Sequence, residues 1–154
     1  MFHRLLPLFA LTALAAFGQK YDGPRPPKPD LPYLKHASNL VPTEAAEAKE
    51  QKKRDETLYT IDGANSTTKT PLAAPIFLFQ SDKILAESLQ LFKLESKAGH
   101  REITMSRRGA QPIRMDVTRL DGNLYKLEVD DSLEPGEYSL SPNNSDKVFC
   151  FAVY

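Results

Sequence analysis

A single cysteine, Cys150, stands in 154 residues that contain no tryptophan. With one thiol no intramolecular disulfide can form, and a cysteine-rich metal site is excluded. The missing tryptophan and second cysteine also remove the marks of an antibody-type immunoglobulin domain. Histidine is scarce: His3 lies in a leader-like start, which leaves His36 in a proline-rich stretch and His100 at a hairpin turn. A zinc site or a catalytic triad needs ligands that converge, and this placement does not bring them together. There is no glycine-rich phosphate loop and no helical histidine pair. The pair Asp130-Asp131 flanks a turn, where acidic residues serve conformation. No catalytic set, metal or cofactor is therefore expected. An excess of either charge is absent too, with 20 Lys and Arg against 20 Asp and Glu. That balance argues against nucleic acid and anionic membrane surfaces as partners, since both draw on a basic excess.

What is present begins with an export pattern. Arg4 supplies a positive start, Leu5 to Phe17 is an apolar run, and Ala16-Phe17-Gly18 puts small residues where a signal peptidase reads. Residues 1–18 are read as a signal peptide, too short to remain as a membrane span. The mature chain then starts at Gln19 and is periplasmic or extracellular, with no stable membrane insertion. Six of the twelve prolines fall between Pro24 and Pro42, so residues 19–42 are expected to form an extended arm. That arm carries Leu31, Tyr33, Leu34 and Leu40, large apolar groups that an idle linker does not need. Residues 43–55 read as a short polar helix: Thr43 as cap, acids early, bases late, and alanines at 45, 46 and 48.

From residue 56 to 154 the period is that of strands. Ile113, Met115 and Val117 alternate with Arg114, Asp116 and Thr118, and Tyr125, Leu127 and Val129 alternate with Lys126, Glu128 and Asp130. Asp121-Gly122-Asn123 between them is a hairpin turn. Seven or eight such strands predict an all-β fold, an antiparallel β-sandwich that is immunoglobulin-like in architecture only. Two strands, Ile76 to Phe79 and Val148 to Tyr154, are apolar on both faces. They are expected to be neighbours in one sheet whose outer face is covered by the Leu31 to Val41 segment or by another chain.

The closing residues, EPGEYSL followed by VFCFAVY, resemble the terminal hairpin of uncharacterised secreted bacterial proteins. The likeness spans about twenty residues and implies export and a β-domain, not an activity. Basic residues gather from Lys97 to Arg119. Arg107 and Arg108 sit at a hairpin tip, and Arg114 and Arg119 on the outward face of the next strand. They form either a ridge for an acidic partner or a set neutralised by Glu128 and Asp130 across the hairpin. The function expected is an exported, non-catalytic module that binds another envelope protein or polymer through Leu31, Tyr33, Leu34, Leu40, Arg107, Arg108, Arg114 and Arg119. A homo-oligomer is compatible with that reading. The alternative is a small periplasmic enzyme or ligand-binding protein whose site forms only in three dimensions.

Overall fold

Period-2 patterning becomes thirteen strands in the computed structural model, which describes residues 20–154. The predicted signal peptide lies outside the described residues. In chain order the strands are β1 (Tyr33–His36), β2 (Asn39–Pro42), β3 (Glu44–Glu47), β4 (Lys49–Lys52), β5 (Glu56–Asp62), β6 (Lys69–Thr70) and β7 (Ile76–Gln80). A single 3-10 turn, Ala86–Ser88, precedes β8 (Leu89–Lys97), β9 (His100–Ser106), β10 (Met115–Asp121), β11 (Leu124–Val129), β12 (Gly136–Pro142) and β13 (Lys147–Val153). The fold is all-β, with antiparallel sheets packed together, as the patterning predicts. The strand count exceeds seven or eight because residues 33–52 supply four strands and Lys69–Thr70 one more.

One sheet has five strands in the order β10-β11-β7-β1-β2. The other runs β3-β13-β12-β8-β9-β5-β4, with β6 added in parallel to β13. The two ends of this second sheet, β3 and β4, are separated in the chain by Ala48 alone, so the sheet is closed on itself through one continuous segment. Two strands make its corners. Residues 44–47 pair with β13 while 49–52 pair with β5, and β8 pairs with β12 through residues 89–94 but with β9 through 95–97. A strand that changes partners in this way is how orthogonal sheets turn a corner.

The principal core lies between this ring and the five-stranded sheet. Phe77 and Phe79 of β7 and Leu34 of β1 meet Phe149, Phe151 and Val153 of β13 with Tyr138 and Leu140 of β12. Phe77 stands edge-on to Phe151 at 4.9 Å between centroids, and Tyr138 stacks on Phe151 at 5.5 Å. So the two strands that are apolar on both faces belong to different sheets and face each other. They are not neighbours in one sheet: β7 takes β1 and β11 as its partners, and β13 takes β12 and β3. The second face of β13, with Val148 and Cys150, lines the inside of the ring.

Two further expectations change. Residues 43–55 are not a helix but β3, β4 and the start of the turn into β5. A helix there would bury no apolar stripe, whereas the extended form turns Ala46 and Ala48 to the ring interior and gives both ring edges a backbone partner. Thr43, the expected cap, donates through Oγ1 to the Pro32 carbonyl at 2.8 Å. Nor do residues 31–42 lie over a sheet as a cover. They form the β1–β2 hairpin and extend the five-stranded sheet in its own plane.

The residues before β1 are the part that crosses a face. Arg25 pairs with Asp121 at the β10–β11 turn, and the Asp30 amide donates to the Gln80 carbonyl at the end of β7. Between these ties Pro26 is buried. Leu78 and Leu124, which point away from the ring, are only 1% and 0% exposed. Asp30 fixes the far end: at φ 56° its carboxylate accepts the backbone amides of Asp82, Lys83 and Ile84 at 2.9–3.0 Å.

Candidate functional site: the interior of the ring

Strand alternation decides which side chains enter the ring, and register decides their depth. Across β4, β5 and β9 the inward residues form three rungs: Ala48, Ile61 and Arg101; then Glu50, Tyr59 and Ile103; then Lys52, Thr57 and Met105. Across β13, β12 and β8 the inward rungs are Ala152, Glu137 and Leu94; Cys150, Ser139 and Phe92; and Val148, Ser141 and Gln90, and because Ser96 stands opposite Arg101, Leu94 follows at the level of Ile103. Floor, middle and mouth thus differ in chemistry.

The floor is sealed by a charged network. The Arg101 side chain is 0% exposed and meets Glu44 through two bonds, Nη1 to Oε2 at 2.8 Å and Nη2 to Oε1 at 3.1 Å. Its other donors reach Gly63 O, Asp62 O and Ser66 Oγ, each at 2.8 Å. Glu137 in turn accepts the Ser66 hydroxyl at 2.6 Å and the Ser66 amide at 3.0 Å. All five guanidinium donors are used, so this arginine has none left for a ligand. Just above, burial pushes the Cys150 thiol up to about 12; Glu44 and Glu137 add to the shift, and Arg101 works against it. At neutral pH the group is a thiol and packs as a small apolar side chain.

Above the floor the two walls touch through Ile61, Leu94, Val148 and Cys150, with Tyr59 and Ile103 packed on them. A cavity of about 730 Å³ opens beside this contact, lined by Tyr59, Ile61, Phe92, Leu94, Ile103 and Val148, with Met105, Gln90 and Ser141 toward the opening. Its rim is the β12–β13 turn, Pro142 to Asp146, where Asn144 takes φ 55°. Ser139 and Ser141 hydroxyls lie 3.2 Å apart. The only charged groups lining the cavity, among the described residues, are Glu50 and Asp146. Burial, then Glu50 and Asp146, hold the Tyr59 hydroxyl above its ordinary pKa of 10.0, so it stays a neutral donor in the physiological range.

At the same end of the ring, beyond the third rung, lies a second depression of about 830 Å³. The β4–β5 turn brings Lys52, Lys53 and Arg54 to it, and the turn after β9 brings Arg107 and Arg108. Asp55 and Glu56 are its acids.

The residues expected from the sequence to bind a partner are therefore dispersed. Tyr33 and Leu34 are 4% and 0% exposed within the five-stranded sheet, Leu31 packs on the principal core, and Leu40 is half-buried in β2. Arg107 and Arg108 stay together at the ring's mouth. Arg114 and Arg119 stand apart, exposed beside and on β10: Arg114 pairs with Asp130 at 3.3 Å, and Arg119 donates to the Gly122 carbonyl. His36 is bonded to Thr70 and His100 to Glu102, both at 2.9 Å and both away from the cavity. Sequence reading missed the cavity wall and the Arg101 network. Their signal was the inward polar set Glu137, Ser139 and Ser141 on the strand beside one apolar on both faces. No protein-family model, curated protein or solved structure matches the chain.

Proposed function

We propose that the protein is an exported, non-catalytic binding module and that its ligand lodges inside the ring. The observation that carries this reading is the cavity of about 730 Å³ between the two walls. Its size falls in the range of roughly 300–1,000 Å³ typical of small-molecule sites, and its apolar walls with a few polar groups suit such a ligand. The non-catalytic part is supported by the lining, where the Ser139 and Ser141 hydroxyls bond each other, and by the absence of both histidines from it. Export rests on the pattern in residues 1–18.

Binding of another envelope protein or polymer drew its sequence support from apolar groups that needed a cover. Those groups are taken up by the protein's own core, so the weight moves from the arm to the cavity. The ligand-binding alternative is the one the geometry supports.

The test uses the neutral dye N-phenyl-1-naphthylamine, whose fluorescence rises in apolar surroundings. The wild-type protein is expected to bind it with saturation, and Ser139→Leu and Val148→Phe, which fill the cavity, are expected to abolish binding while circular dichroism stays unchanged. Equal binding by the filled variants would overturn the site, and so would no saturable binding by the wild type.

A further inference from the structure

The cavity and the basic depression are built on the same strands. Along β4 the inward residues pass from Ala48 through Glu50 to Lys52, along β5 from Ile61 through Tyr59 to Thr57, and along β9 from Ile103 to Met105. The apolar wall therefore leads outward to Lys52, and the two turns set Lys53, Arg54, Arg107 and Arg108 beside it. Backbone bonds hold both turns, Lys53 N to Glu56 O at 2.8 Å and Gly109 N to Ser106 O at 3.2 Å. Of these five cations only Lys52 makes an ion pair among the described residues, at 3.8 Å from Glu50. Five cations beside two acids repel one another while the depression is empty, and an anion relieves that repulsion.

Resting on the reading of the ring as the binding site, we propose that the ligand is an anionic amphiphile. Its slim apolar chain enters the ring, and its acidic head sits on Lys52, Lys53, Arg54, Arg107 and Arg108. The two acids that line the cavity, Glu50 on the wall and Asp146 on the rim, set the direction. Glu50 and Asp146 repel a negative head from the walls and leave it at the lip, where the cations are, while the chain passes Tyr59, Phe92 and Ile103. From the Ala48 rung to the Lys52 rung is four residues of strand, about 13 Å, which a chain of roughly ten carbons fills. The Arg101 network closes the inner end, so the chain enters from the mouth only.

The experiment is displacement of N-phenyl-1-naphthylamine from the mature protein by monomeric dodecanoate, dodecanol and dodecylamine. Dodecanoate is expected to displace the dye at about a ten-fold lower concentration than dodecanol, as for contacts to charge at a solvated site. Dodecylamine should be the weakest, and the advantage of the acid should shrink with added salt. The double variant Arg107→Glu/Arg108→Glu should still bind the dye and dodecanol but lose the preference for the acid. If the three heads compete equally, or if the double variant keeps the preference, the head site is wrong although the cavity stands. If Ser139→Leu leaves dye binding intact, the cavity reading fails and this one with it. Vesicles of phosphatidylcholine with and without phosphatidylglycerol separate two sources of the same chemistry. Cosedimentation with the acidic vesicles alone identifies a bilayer lipid, and binding of dodecanoate without cosedimentation identifies a free acid.

Discussion

Arg101 shows how one residue can be placed by pattern and yet escape notice. Ile103 and Met105 alternate inward on β9, and the same period carries Arg101 inward with them; counted as one more cation of a basic stretch, it looks like a surface group. Its five donors and the Glu44 carboxylate form a buried pair whose halves cannot be removed singly without leaving a charge unmatched. Arg101→Met is expected to cost about 3–5 kcal/mol in urea unfolding, and a loss below about 1 kcal/mol would show that the floor is solvated. Asp30 gives a pH signature. Burial alone would raise its pKa, but the amides of Ile84, Asp82 and Lys83 outweigh that and leave it below the ordinary 3.8. Because the folded-state pKa is the lower one, the stabilisation is present above the unfolded value and is lost as pH falls through the folded value. The stability difference between wild type and Asp30→Asn should therefore be constant near neutrality, shrink below about pH 4 and vanish in stronger acid. A difference that persists unchanged at pH 2 would remove Asp30 from that role.

Among the elements, the terminal hairpin and the β10–β11 hairpin were legible because each carries its own turn chemistry and period. Gly122 takes φ 56° in the turn Asp121-Gly122-Asn123, and β12 and β13 pair from Gly136 with Val153 to Leu140 with Phe149. The segment 43–55 was misread because local propensity and charge order favoured a helix while only distant partners, β13 and β5, favour strands. The arm was half legible. Its apolar groups are buried as their size requires, but by strand pairing with β7, which no local period announces. Deleting Gln19 to Val41 removes β1 and nearly all of β2, leaving the β7 edge unpaired and Leu78 uncovered. The truncated chain is expected to melt at least 10 °C lower, roughly two kcal/mol for a domain of this size. It should also bind more hydrophobic dye; an unchanged melting temperature would show that the arm is a tether. Phe151→Ala, at the contact with Phe77 and Tyr138, should cost about 3–5 kcal/mol by the same unfolding assay.

At the scale of the whole molecule, the export pattern predicts that N-terminal sequencing of the secreted protein begins at Gln19, and recovery of Met1 in the exported fraction would overturn it. The sequence by itself determined the all-β class, the turns of two hairpins and the dry side of the alternating strands after residue 56, because alternation is a local property with a period of two residues. It also determined that Cys150 has no disulfide partner within the chain. Only the tertiary structure decided that the second apolar face of β13 is covered by the inside of its own ring, and that Lys52, Lys53 and Arg54 meet Arg107 and Arg108 across about fifty residues of chain. Which strand pairs with which depends on loop closure. Its entropy changes slowly with loop length, so near and distant partners cost nearly the same and local pattern does not choose between them. Closure of the ring through Ala48, and the cavity it leaves, are consequences of those pairings.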